Sequence, residues 1–162
     1  MLETTAKQAK STSEISAARA LFEEYADWLG IDLCFQDFDA ELQALPGNYS
    51  PPSGRLLLAW EEDEPVGCVA LRRIDSAACE MKRLFVRPSH RSRGIGRKLA
   101  KAIICMASEI RYSRIRLDTL PSMGEARSLY VHLGFREIPP YTYNPVPGAV
   151  YMELSLPKTS TL

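Results

Sequence analysis

The sequence predicts an α/β (α+β) domain spanning residues 1–162, a central mixed, mostly antiparallel sheet of six to seven strands flanked by about four helices. Three observations lead there. Two apolar runs of strand length, 55–61 and 65–73, flank the acidic turn Glu62-Asp63-Glu64 and read as a hairpin. From residue 78 onward the pattern becomes strand, helix, strand, helix. A chain of 162 residues, 46% hydrophobic and 25% charged, has the size and composition of one domain with a real core.

The elements follow in order. A short first strand is expected near residues 3–8. Ser13 is a candidate cap for a helix with Ile15, Ala18, Phe22, Tyr25 and Leu29 on one face, ended by Gly30. A second short helix is expected over 37–45, then a Pro/Gly-rich loop over 46–54. The hairpin comes next, and 78–86 is its following strand. A long helix is expected over 94–110, because apolar residues recur at 95, 99, 103, 106 and 110. Residues 114–118 read as a strand. A helix over 123–133 carries Ala126, Leu129, Tyr130 and Leu133 on one face. Residues 135–138 are short and extended, 139–148 form a proline-stiffened aromatic loop, and 149–156 alternate as a last strand. The tail 157–162 is expected to fray.

Residues 84–99 carry the strongest local signal. Leu84, Phe85 and Val86 suit a buried strand, and Pro88 ends it. Gly94 and Gly96 allow close approach to the backbone where the long helix begins. The first N–H groups of a helix have no intrahelical partner, and the helix dipole makes that end partly positive. Arg91, Arg93 and Arg97 surround the turn. The stretch Arg91-Ser92-Arg93-Gly94-Ile95-Gly96-Arg97 therefore predicts a cradle for a phosphate or diphosphate. The plainer alternative is an ordinary strand-to-helix turn with solvated arginines. The Walker pattern is absent, and the third glycine of the dinucleotide pattern is replaced by Leu99.

Composition excludes several classes. Net charge is zero, yet residues 1–80 hold 6 basic and 15 acidic side chains, and residues 81–162 hold 14 and 5. A balance of −9 thus faces one of +9, which suits an anionic small ligand on one side and a cationic one on the other, or simply two solvated surfaces. No recognition motif or overall basic charge points to nucleic acid. No apolar run approaches a membrane span and no signal pattern opens the chain, so the cytoplasm is expected. Cys34, Cys68, Cys79 and Cys105 have no metal spacing, and two histidines are too few for a familiar zinc site, so no metal is expected. Cys68, Cys79 and Cys105 read as small buried apolar residues.

Arg91-Ser92-Arg93-Gly94-Ile95-Gly96 resembles the Arg/Gln-x-x-Gly-x-Gly/Ala signature of the GCN5-related N-acetyltransferases (GNAT). Glu80-Met81-Lys82-Arg83-Leu84-Phe85-Val86 is similar to that family's fourth strand, and Ala126-Arg127-Ser128-Leu129-Tyr130 with Leu133-Gly134-Phe135 to its later helix. The three segments keep the family's order and spacing over about residues 66–136. The resemblance implies the GNAT fold and transfer of an acetyl group from acetyl-CoA, as co-substrate, to a primary amine. It implies that the amides and side chains of residues 91–97 hold the CoA diphosphate. It also implies that the pantetheine arm pairs with the backbone of Leu84, Phe85 and Val86 as an added strand.

An ammonium must lose a proton before it attacks, and a departing thiolate must gain one. Glu80 leads as general base. It lies four residues before Leu84 and shares its face under strict alternation, which a β-bulge would change. Its alternative is a salt-bridged carboxylate, and Asp118 is the rival base. Tyr130 occupies the family's general-acid position, its alternative being a core tyrosine. One departure stands out: Met123 lies where many members carry an asparagine that touches CoA, and Ser122 is the nearest replacement. The resemblance places the acceptor between the first helices and the last hairpin. Trp28, Asp118, Tyr143 and Asn144 lead there, with Asp32, Phe35, Asp37, Tyr49 and Tyr141 beside them, or else serve loop packing. The expected acceptor is a small metabolite or amino-acid-like amine, and a homodimer is compatible with this reading. Acetylation of a protein N-terminus or lysine, a non-catalytic acyl-CoA sensor, and nucleotide binding at the glycine turn are the rivals.

Overall fold

The hairpin meander at the start of the sheet and the helix-linked strands after it meet in a single seven-stranded sheet. The computed structural model describes residues 3–157; the tail 158–162 and the side chain of Phe35 lie outside the described residues. The elements are β1 (Thr4–Gln8), α1 (Thr12–Leu29), α2 (Phe38–Ala44), β2 (Arg55–Glu61), β3 (Glu64–Arg73), β4 (Ala78–Val86), α3 (Ile95–Ile110), β5 (Arg114–Thr119), α4 (Gly124–His132), β6 (Arg136–Ile138) and β7 (Val150–Ser155). The strand order is β1-β2-β3-β4-β5-β7-β6. Every pair is antiparallel except β4 and β5. A mixed, mostly antiparallel sheet with four helices is the predicted architecture.

The pleat sends alternate side chains to two cores. On one face Leu57, Val69, Leu71, Met81, Ile115 and Leu117 meet the apolar stripe of α3 (Ile95, Leu99, Ile103) and Tyr130 of α4. On the other, Leu56, Leu58, Cys68, Ala70 and Phe85 meet Ala18, Leu21, Phe22 and Tyr25 of α1 and Phe38 of α2.

Two local expectations need correction. The first helix is capped by Ser11, not Ser13. Ser11 Oγ accepts from Glu14 N–H, and Glu14 Oε1 accepts from Ser11 N–H, a reciprocal capping box that fixes the helix start two residues earlier. Cys105 is exposed, because it lies on the outer side of α3, whereas Cys68 and Cys79 are buried as expected. Within the 46–54 loop, a single 3-10 turn over Gly47–Tyr49 carries Tyr49 into the second core, where its ring meets Phe22 edge-on at 6.1 Å.

Candidate active site

The site forms where β4 and β5 part. They pair in parallel only along Ala78–Glu80 and Arg114–Arg116, while β5 stays paired with β7 out to Thr119. Beyond Glu80 the strands splay and a wedge opens between them. At the same level β4 carries a bulge. Phe85 faces Cys68 but Lys82 faces Ala70, so β4 spends one residue more than β3 over that interval, and Arg83 adopts φ +62°. Met81 and Leu84, three residues apart, consequently lie on the same face, against the α3 core. Glu80 and Leu84 do not share a face, which corrects the expectation from strict alternation.

A cavity of about 570 Å³ occupies the wedge on the α3 side. Its walls are Leu84, Phe85 and Val86 of β4, the turn through His90, Arg91, Ser92, Gly94, Ile95 and Gly96, and residues 122–126 at the start of α4. Gly94 is the residue before α3 and sits at φ +78°, a left-handed conformation that a side chain would strain. The first helical hydrogen bond runs from Lys98 N–H to the Gly94 carbonyl. The N–H groups of Ile95, Gly96 and Arg97 precede it and are free for an anion. A Cβ on Gly96 would meet only Val86 Cγ2, at 3.8 Å, so the protein itself does not demand glycine there. Arg91 stacks 4.3 Å over the Trp28 ring, and its Nε donates to the Val86 carbonyl at 2.9 Å. That clamp ties the turn to the strand end.

A smaller chamber of about 40 Å³ adjoins this cavity, and the two share Leu84 and Met123. Its polar wall is Gln36, Lys82, Arg83, Asp118 and Asn144; its apolar wall includes Tyr25, Met81, Leu117, Leu120 and Tyr130. Asp118 is the next-to-last residue of β5, where its Oδ2 accepts from Asn144 Nδ2 at 2.9 Å. Tyr130 is 5% exposed, and burial pushes its phenol well above the usual range. Tyr25 is raised to about 12, again by burial. Lys82 Nζ donates to Gln36 Oε1 at 3.0 Å and lies 4.0 Å from Glu80 Oε1; desolvation lowers it to about 8. Glu80 is 2% exposed and lines neither cavity. Its oxygens accept from Arg72 Nε at 2.8 Å and Tyr141 Oη at 2.6 Å. The 139–148 loop thus pins its tyrosine to one carboxylate and its asparagine to another.

The profile described as Acetyltransferase (GNAT) family matches residues 17–135 of this chain. The chain belongs to the GNAT acetyltransferase family. It is therefore an acyl-CoA-dependent transferase. An uncharacterised N-acetyltransferase of Schizosaccharomyces pombe is 39% identical over 151 residues, covering 92% of this chain and 93% of the relative. A GNAT acetyltransferase structure from Staphylococcus aureus superposes with a TM-score of 0.80 at 22% identity, over 96% of this chain and all of that one. A GNAT structure from Elizabethkingia anophelis with acetyl-CoA bound has a TM-score of 0.56 at 26% identity, over 64% of this chain and 77% of that one.

Within this GNAT fold the sequence-predicted residues divide. Leu84, Phe85, Val86, Arg91, Ser92, Gly94, Ile95 and Gly96 come together around the larger cavity, joined by Ser122 and Met123. Arg93 and Arg97 do not line it: Arg93 turns to Glu61 at 3.0 Å, and Arg97 is exposed on the first turn of α3. Trp28 stands at the glycine-turn cavity rather than in the small chamber. Tyr143 is 73% exposed and lines neither cavity. Asp118, Asn144 and Tyr130 meet in the chamber. Asp32 caps Cys34 N–H at 2.9 Å, and Tyr49 is core. Sequence reasoning missed Lys82, Gln36 and Tyr25. A signal for Lys82 existed: two adjacent charged residues, Lys82 and Arg83, interrupt an apolar strand, which is the pattern a bulge leaves.

Among the described residues no helix is long and apolar enough to cross a membrane, and no three His, Cys, Asp or Glu side chains are placed to share a metal ion.

Proposed function

We propose that this GNAT enzyme transfers an acetyl group from acetyl-CoA to the primary amine of a small, amino-acid-like acceptor, by direct attack in a ternary complex in the cytoplasm. One observation carries the reading: a cavity floored by helix amides shares Leu84 and Met123 as a common wall with a small chamber holding a carboxylate and a phenol. The diphosphate rests on the Ile95 and Gly96 amides and the pantetheine runs along Leu84–Val86, beside β4 where β5 has left. The thioester then arrives where the two cavities meet. A backbone N–H from the bulged stretch polarises its carbonyl.

The acceptor ammonium first gives one proton to water; its nitrogen then adds its lone pair to the carbonyl carbon, and the C–S bond breaks as the thiolate leaves to take a proton from solvent. Forming the C–N bond makes the nitrogen far more acidic, and Asp118 takes the proton it then releases. Glu80, held by Arg72 and Tyr141, serves to fix the loop over the chamber. Tyr130 donates a hydrogen bond to the leaving sulfur. The closed loop and the chamber's small volume favour a small acceptor over a polypeptide.

Acetyl-CoA and a panel of small primary amines, assayed for thiol release, test this. Amine-dependent release is expected for small amines and not for peptide N-termini or lysines. CoA binding with no release on any amine would make the protein a sensor instead.

A further inference from the structure

The chamber's charges do not all pair with one another. Arg72 closes on Glu80 at 2.8 Å, and Arg83 closes on Glu41 through two bonds of 2.9 Å. Lys82 and Asp118 are what remain. Among the described residues Lys82 has the neutral Gln36 at hydrogen-bond distance, and its nearest carboxylate, Glu80 at 4.0 Å, already accepts from Arg72 and Tyr141. Among the described residues Asp118 has only the neutral amide of Asn144 at hydrogen-bond distance. Both line the same chamber, and Asp118 lies close enough to act on the Lys82 charge.

A cation that is 7% exposed without a close counter-ion is costly in an unliganded protein. The bulge makes the arrangement, because it presents Lys82 and Arg83 on the same side of β4 and leaves Glu41 to satisfy only the second. The result is a chamber lined by both a lysine and a carboxylate that no close ion pair neutralises, and too small for a large molecule. A short zwitterion matches that field, and a simple alkylamine matches half of it.

We propose that Lys82, together with the Gln36 amide, docks a carboxylate on the acceptor, so that the enzyme selects small amino acids whose amine then faces Asp118. This rests on the acetyltransferase reading above and names its substrate class. Gln36 Oε1 accepts from Lys82, which leaves its Nε2 to donate to the same carboxylate. Lys82 is a specificity residue and takes no part in bond making.

The test compares glycine, alanine and β-alanine with methylamine, ethylamine and alaninamide, in the wild type and in Lys82→Met and Lys82→Arg. Two readouts are taken: thiol release from acetyl-CoA, and the thermal shift each amine produces with CoA bound. The wild type is expected to prefer a carboxylate-bearing amine by at least 30-fold in kcat/KM. Lys82→Met should erase most of that preference through KM, Lys82→Arg should retain part of it, and both should bind CoA as the wild type does.

Equal use of amino acids and alkylamines, or a preference that survives Lys82→Met, overturns the proposal while leaving the transferase reading intact. Thermal shifts from amino acids that vanish in Lys82→Met, with no turnover anywhere, sustain the carboxylate site and sink the transferase reading. Neither turnover nor a shift with any carboxylate sinks both.

Discussion

At Tyr130 burial and chemistry pull in different directions. The phenol stays protonated at any working pH because burial raises it, so it is always a donor. The same shift makes complete transfer of its proton to a thiolate unfavourable, so its contribution is a hydrogen bond to the developing charge. Tyr130→Phe should lower kcat by about 100-fold with CoA affinity unchanged, measured by steady-state kinetics and calorimetry. The two carboxylates separate in the same way. Asp118→Asn keeps a hydrogen-bonding partner for Asn144 and should cost little stability but about 100-fold or more in kcat. Glu80→Gln should lower stability by about 2 kcal/mol in urea unfolding, since it leaves the Arg72 charge without its carboxylate beside a buried site, while the surviving folded enzyme turns over.

Lys82 makes both acceptor binding and stability depend on pH. The groups facing it are Glu80 and Arg83 on its own strand, Arg72 from β3, Gln36 before α2 and Asp118 from β5. Burial holds it at about 8, below the ordinary lysine value of 10.5, so the charged form is the disfavoured one in the fold. Above pH 8 the lysine neutralises, and KM for a carboxylate-bearing acceptor should climb toward tenfold per pH unit. The stability penalty is full below pH 8 and fades between 8 and 10.5. Lys82→Met should therefore be more stable than the wild type at pH 7, by about 1–2 kcal/mol, with the gap closing as pH rises.

The elements that matter most are β4 and the turn into α3, and each was legible to a different extent. The glycine turn reads directly from sequence because its physics is local: glycine at φ +78° and a helix start with free amides. The two glycines should behave differently when altered. Gly94→Ala meets no atom within 4 Å but is strained at positive φ, so it should cost about 1 kcal/mol of stability. Gly96→Leu should leave the melting temperature nearly unchanged and raise the CoA dissociation constant at least tenfold, because its side chain fills space meant for ligand. The bulge in β4 was not legible from alternation. Its register depends on β3, a partner strand in the hairpin, and only the adjacent pair Lys82-Arg83 hints at it. That one extra residue turned Glu80 away from Leu84 and brought Lys82 into the chamber. The partner of Arg93 was hidden for a similar reason: Glu61 comes from β2, distant in sequence.

For the molecule as a whole, the seven strands and four helices followed from periodicity and turn chemistry, and the GNAT family from three short motifs. The splay of β4 from β5 followed from neither, because it is set by where parallel pairing stops, at Glu80 and Arg116. Both cavities nevertheless lie where the strands part, with Leu84 and Met123 as their common wall. On the proposed reading, coenzyme A lies in this wedge with its diphosphate on the helix amides and its sulfur where the two cavities meet. A crystal structure with coenzyme A bound tests it most directly. Phosphoryl oxygens are expected at hydrogen-bond distance, about 3 Å, from the Ile95 and Gly96 N–H groups, with the sulfur beside the Tyr130 hydroxyl. A coenzyme seated elsewhere, or one whose sulfur points away from the chamber of Asp118 and Lys82, would contradict it.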